Sequence, residues 1–302
     1  MHESSPSRKT AALQTSGALP LLALLAGNVA LAFGPWFVRA ADVGPVSAGL
    51  WRLVLAAPLL IALAYVGNAR PFRVTRGMVG LIVFGAIAFA ADLASWHLGI
   101  LRTTLANSAL FGNSATLFFP VYGFLAARTW PTRTQGVALG LAAVGAVLLM
   151  GRSYELSPKH FAGDLLCLLA GMLYTVYFVA MARVREAMAP FPALALATLA
   201  GILPMLLFSG LAGETIWPRH WGALIGLALA SQVLGQGLMI YALGRLSPLV
   251  VGIGLLSQPI VAGTIGWVRY GEVLGLPDLL GAALVAIALV LVRRTPKLAP
   301  AD

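Results

Sequence analysis

Apolar residues in this chain come in long blocks separated by short polar gaps, and the blocks set the expected architecture. Runs long enough to cross roughly 30 Å of hydrocarbon at about 20 residues each fall at residues 19–38, 46–66, 78–98, 104–126, 136–150, 163–182, 191–211, 221–243, 248–268 and 277–292. The pattern predicts an all-α integral membrane protein of ten transmembrane helices. The run at 136–150 is short on its own, and residues 133–135 lengthen it only by snorkelling. Glycine and proline are spread through the blocks, which membrane helices tolerate because neighbouring helices and polar side chains satisfy the freed backbone groups.

The blocks also repeat. Leu-Leu-Ala-Leu-Leu-Ala-Gly at 21–27 recurs as Leu-Leu-Cys-Leu-Leu-Ala-Gly at 165–171, and Leu-Gly-Ile-Leu at 98–101 recurs as Leu-Gly-Arg-Leu at 243–246. Pro120 matches Pro259, and Leu139-Gly140 matches Leu280-Gly281, so all four offsets fall between 139 and 145. Matches in order at nearly constant offset divide the chain into two five-helix units. Five is odd, so the second unit is expected to enter the membrane upside down relative to the first. Inverted repeats are a signature of secondary transporters, which hold substrate near the midplane between the halves.

Composition narrows the reading. Of 302 residues, 60% are apolar and 10% charged, with a mean hydropathy of +0.90; a soluble domain is about half apolar and a quarter charged. A soluble globule is excluded. The formal charge of +10 comes from 20 basic and 10 acidic residues. Such a balance raises nucleic acid as a partner, but the basic residues sit in the gaps between blocks without a long run interleaved with aromatics, so no nucleic-acid partner is expected. With the N-terminus cytoplasmic, that side collects 13 basic residues and the far side 6, and Arg52 inside a helix completes the 20. The bias predicts both termini in the cytoplasm. Arg8 and Lys9 precede the first block without a small-residue cleavage site, so that block reads as a helix that stays. Cys167 is the sole cysteine, which excludes an internal disulfide.

Several residues carry a family likeness: Gly27-Asn28 in the first block, Arg52 followed by Leu-Val-Leu-Ala-Ala in the second, Gly163-Asp164-Leu-Leu opening the sixth, and the run from Gln258-Pro259 to Gly271-Glu272 and Gly281. On these the chain resembles the drug/metabolite transporter superfamily, in particular its EamA-type members with ten helices in two five-helix repeats. It departs from the pattern at Ala26, where tryptophan is usual, in lacking the usual lysine later in that helix, and at 128–132, where Arg-Thr-Trp-Pro-Thr stands in place of Gly-Glu. The resemblance implies a first EamA repeat at 19–150 and a second at 163–292, joined by a periplasmic linker at 151–162, with a cytoplasmic tail at 1–18 and a basic one at 293–302. It also implies a bacterial inner-membrane exporter of amino acids or related metabolites, aromatic amino acids included. Nucleotide sugars, amines and drugs are the alternative cargo.

Two full charges sit well inside predicted helices, Arg52 and Asp92. Intramembrane charges are rare and costly enough to count as functional candidates. Both fall about 10 Å below the outer surface at 1.5 Å rise per residue, so an ion pair is open to them. Arg52 is expected to be structural or gating, snorkelling to the outer headgroups. Asp92 is expected to line the path or move a proton, with His97 as a second candidate relay. In the fourth block Asn107, Phe111, Ser114 and Phe118 share one helical face, with Asn113 beside them and Pro120 below. In the ninth, Gln258 precedes Pro259, and each proline is expected to bend its helix and free carbonyls. Gln232, Gln236 and Tyr241 in the eighth block, Tyr174 and Tyr177 in the sixth, Trp96 in the third and Asn28 in the first complete a candidate pathway of amides and aromatic rings. Such a lining suits a zwitterionic or weakly polar metabolite.

The expected function is secondary transport by alternating access, with a small-molecule substrate and the lipid bilayer as partners and a monomeric or weakly homo-oligomeric state. No metal site is readable, and no cofactor is expected. Lys9, Lys159 and Lys297 have no phosphate-loop context, so ATP does not supply the energy. A membrane enzyme acting on lipids would show a dense acid, His or Cys cluster, which the sequence lacks.

Overall fold

The computed structural model describes residues 7–66, 72–115, 118, 130, 132–243 and 257–294. Regular structure there is helical throughout: α1 (Ser7–Ala32), α2 (Gly34–Ala40), α3 (Pro45–Tyr65), α4 (Arg76–Ile100), α5 (Leu105–Gly112), α6 (Arg133–Leu156), α7 (Pro158–Ala187), α8 (Pro190–Leu211), α9 (Gly222–Leu227), a π-helical stretch π1 (Ala228–Gly235), α10 (Gln236–Leu243), α11 (Ser257–Tyr270) and α12 (Leu276–Arg294). Six helices among the described residues are long and apolar enough to cross a membrane: Leu19–Ala40, Pro45–Tyr65, Arg76–Ile100, Pro158–Arg185, Pro190–Leu211 and Gly222–Ala242. Shorter apolar stretches lie at Gly136–Gly145 and Leu279–Ala288. Pro120 and residues 244–256 lie outside the described residues.

Burial is reversed relative to a protein in water. Leu203 and Leu207 on α8, Phe84 and Ile87 on α4, and Leu165, Leu169 and Met172 on α7 are exposed, whereas Asn28, Arg52, Thr198, Gln232 and Gln258 are buried. Hydrocarbon solvates the leucines, and polar groups turn inward because lipid offers them no hydrogen bond. The main packing pairs are α4 on α7, α3 on α8, α5 on α11, α6 on α12, and α1 on π1 and α10. Each joins a helix from before residue 157 to one from after it. Small residues permit the closest of these approaches: a Cβ added to Gly99 of α4 would stand 2.5 Å from Cys167 Sγ and 2.9 Å from the Gly163 carbonyl of α7.

Three local breaks depart from straight helices. Pro35 in the first turn of α2 cannot donate to the preceding turn, and the chain bends at Phe33 between α1 and α2. The face proposed for 107–118 is interrupted: α5 ends at Gly112, and Asn113 caps it, its backbone N–H on the carbonyls of Ala109 and Phe111 and its side-chain amide on Ala109 as well. A glycine followed by a side chain that competes for helical carbonyls explains the stop. The eighth span is continuous but wound as a π-helix over Ala228–Gly235, a widening that often occurs at functional sites.

One end of the bundle is tied by two matching devices. Gly213 and Gly271 have φ of +64° and +66° and terminate α8 and α11 in the left-handed conformation that glycine adopts freely. The glutamate after each reaches across to cap a helix of the first half. Glu214 accepts from the N–H groups of Val46 (3.3 Å) and Ser47 (2.8 Å) at the start of α3, and Glu272 accepts from the Leu105 N–H at the start of α5 (2.9 Å). Carboxylates there satisfy orphan donors and the helix dipole together. Glu272 also pairs with Arg39 at 2.6 Å, and the Arg39 guanidinium donates to the carbonyls of Ile100 and Thr103 and lies over the Tyr270 ring. Trp51, Trp217 and Trp221 cluster at the same end, the Trp51 indole N–H donating to the Ile216 carbonyl.

Candidate functional site

Between the halves lies a cavity of about 50 Å³, room for a few water molecules. Its wall is built from Leu31 of α1, Arg52 of α3, Phe89, Asp92, Leu93 and Trp96 of α4, Ala109, Gly112 and Asn113 at the end of α5, Tyr174 of α7, Gln236 and Met239 of α10, and Gln258 of α11. Both halves contribute. Arg52 lies seven residues into α3, about 10 Å along its axis from the tied end, and Asp92 lies at a similar distance from the end of α4.

Three polar chains surround the cavity. Arg52 Nε donates to Gln232 Oε1 at 2.9 Å, and Gln232 Nε2 donates to Thr198 Oγ1 at 3.1 Å. Gln232 sits within π1, so the widened helix supplies the amide that holds the buried guanidinium. Asn113 Nδ2 donates to Gln258 Oε1 at 3.1 Å, and Gln258 Nε2 donates to Asn28 Oδ1 at 2.7 Å, a relay that spans α5, α11 and α1. Gln236 Nε2 donates to the Tyr174 hydroxyl at 3.0 Å. Tyr177 is buried beside this chain, stacked on Phe89 at 4.6 Å and on Tyr174 at 5.8 Å. The Trp96 indole N–H donates to the Ser108 carbonyl at 3.0 Å, which fixes its ring against the cavity.

Seven of the residues singled out in the sequence thus share one wall: Arg52, Asp92, Trp96, Asn113, Tyr174, Gln236 and Gln258. Asn28, Gln232 and Tyr177 stand directly behind it. Asn107, His97 and Tyr241 do not line it. Asn107 is buried against Asp164, which also accepts from the Thr103 hydroxyl, so it belongs to the joint between α5 and α7. His97 is buried within the protein: its Nδ1 lies 2.9 Å from the Pro45 carbonyl, joining α4 to the start of α3. Tyr241 is half-buried on α10. Pro120 is outside the described residues, and Pro259 lies on α11 next to Gln258. Arg52 does not snorkel; it is 1% exposed and faces inward.

The profile of the EamA-like transporter family matches residues 18–151 and, a second time, residues 161–294. The chain belongs to the EamA-like transporter family. It is a multi-pass membrane protein in which the family unit occurs twice. Among similar proteins, an uncharacterized transporter of Archaeoglobus fulgidus is 27% identical over 281 residues, covering 92% of this chain and 95% of that protein. A second from the same organism is 24% identical over 239 residues, covering 76% and 81%. Threonine/homoserine exporter RhtA of Salmonella typhimurium is 28% identical over 169 residues, 54% of this chain and 57% of that protein. A crystal structure shares the fold, with a TM-score of 0.63 at 15% identity over 92% of this chain and 97% of the other.

The EamA-type residues fall into two groups in space. Arg52, Asn28 and Gln258 surround the cavity, whereas Asp164 and Glu272 tie the end loops. Sequence reasoning missed Phe89 and Leu93, apolar residues on a wholly apolar helix that carry no signal of their own. It also missed Glu214, whose positive-φ glycine followed by glutamate copies the Gly271-Glu272 pair and was legible as an echo of it.

Proposed function

We propose that this transporter exports small amino acids by alternating access, with two inverted five-helix repeats rocking around the shared cavity. The observation that carries the reading is the cavity itself, lined from both halves by amides, aromatic rings and one charge of each sign. A polyphosphate or nucleotide sugar would call for a wall dominated by basic residues. The likeness to a threonine/homoserine exporter points to the same cargo.

The packing pattern supports the inverted arrangement. If each helix is exchanged for its counterpart in the other half (α1 with α7, α3 with α8, α4 with the α9–π1–α10 span, α5 with α11, α6 with α12), the main packing pairs between the halves map onto one another. That is the behaviour of two units related by a two-fold axis, and an odd number of spans in each unit puts that axis in the membrane plane. Together with the loop charges, it supports ten spans, both termini in the cytoplasm of a bacterial cell and the tied end facing outward. The working unit in this reading is a single chain.

Counterflow in proteoliposomes tests the proposal. Vesicles preloaded with L-threonine or L-homoserine take up the labelled amino acid faster than empty ones, with saturation, and sugar phosphates do not compete. Vesicles that exchange no amino acid, while exchanging an amine or sugar phosphate or while turning over a lipid, would overturn it.

A further inference from the structure

Arg52 and Asp92 are buried groups of opposite charge type on one cavity wall, within reach of each other's field but not in contact. Among the described residues no ion pair within 4.0 Å joins them. Arg52 commits Nε to Gln232, and its buried Nη1 has no hydrogen-bond partner. Asp92, 8% exposed, carries no hydrogen bond among the described residues. Removing both charges from water without pairing them is costly, and such a cost persists where a ligand of complementary charge offsets it.

We propose that Arg52 and Asp92 are the two poles of a zwitterion site, Arg52 receiving the substrate's carboxylate and Asp92 its ammonium, which assigns the substrate class as α-amino acids with both groups free. An α-amino acid carries the two charges on one carbon, so a single small molecule serves both poles inside a small cavity. The guanidinium fork suits a carboxylate, and Gln232 holds it through Nε, which leaves the fork's end for substrate. Phe89, Trp96 and Tyr174 are left to face the rest of the molecule. Specificity follows from what goes unpaired. A decarboxylated amine leaves Arg52 without a partner, and a deaminated acid leaves Asp92 without one, so each single-charge analogue is rejected by the pole that it fails to satisfy.

The site rests on the export reading for its physiological role but is tested by binding. Ligand-induced stabilisation or calorimetry on the purified full chain compares L-threonine, 1-aminopropan-2-ol and 3-hydroxybutyrate. Wild type is expected to prefer threonine over either analogue by at least about tenfold, the scale on which an unpaired buried charge is felt. Asp92→Asn removes the pole that rejects the acid, so 3-hydroxybutyrate then binds at least as well as threonine; Arg52→Gln gives the mirror result with 1-aminopropan-2-ol. Arg52→Lys keeps the positive pole and with it the preference for threonine over the amine, which separates charge from loss of fold. Equal binding of threonine and either analogue by wild type, or a wild-type ranking in Asp92→Asn, overturns the site whatever the fate of the other variants. If amino acids exchange in counterflow while the ranking is flat, the two-pole site alone falls. If threonine neither binds nor exchanges, the export reading falls and the site with it.

Discussion

Arg52 keeps its charge inside the bundle because Gln232, 180 residues away in sequence, meets its Nε. Replacing Gln232 with leucine leaves that buried N–H without an acceptor and is expected to lower stability by about 2 kcal/mol, the usual scale for a hydrogen bond to a charged group. A fall in melting temperature in detergent checks this, and an unchanged value would mean that water or another carbonyl takes over. Outside the membrane, Asp42 accepts from the backbone N–H groups of Arg219 and His220, both at 3.0 Å. Desolvation raises its pKa, but these hydrogen bonds together outweigh it and hold the carboxyl below its ordinary 3.8. Its contribution to the fold is therefore complete above about 3.8 and is lost as pH falls through the lower native value. A carbon-13 titration of the Asp42 carboxyl is expected to show a midpoint under 3.8. At this scale the sequence reveals which residues are costly in lipid, and depth along a helix already placed Arg52 and Asp92 together. Partners such as Gln232 are not legible, because one glutamine among many apolar neighbours carries no mark of what it touches.

Elements in this protein are stopped and started by one another. A Gly-Glu pair ends α8, and a second ends α11; the glutamates then cap α3 and α5 in the opposite half. Glu214→Ala strips the acceptor from two N–H groups at the start of α3 and is expected to cost about 1 kcal/mol, the typical value of a lost cap. Thermal unfolding measures it, and a cost near zero would show that water caps α3 as well. Hydrophobic blocks predicted the long spans at 46–66, 78–98 and 191–211 within a few residues of α3, α4 and α8. They missed the break at Gly112–Asn113 and the π-helical winding of Ala228–Gly235. Both are decided by hydrogen-bond competition and tertiary packing, and hydropathy does not register either.

At the scale of the molecule, the repeat read from matches at 21–27 and 165–171 reappears as two successive matches to one family unit. The cavity between the halves was legible only as a set of polar residues that lipid forces to converge. Which of them converge depended on tertiary contacts: Asn107 and His97 found partners in end joints instead. In the proposed export cycle the halves move around this cavity, so the tied end opens during transport. The Arg39–Glu272 pair bridges the halves at that end. A protein in which both are replaced by cysteine, with Cys167→Ala to remove the native thiol, can be locked there with a cleavable bifunctional thiol reagent. Counterflow of labelled L-threonine in proteoliposomes is expected to fall at least about tenfold on cross-linking, a rise of at least about 1.4 kcal/mol in the rate-limiting barrier, and to recover when the linker is reduced. Exchange by the locked protein at the rate of the unlocked double variant would contradict alternating access around this cavity.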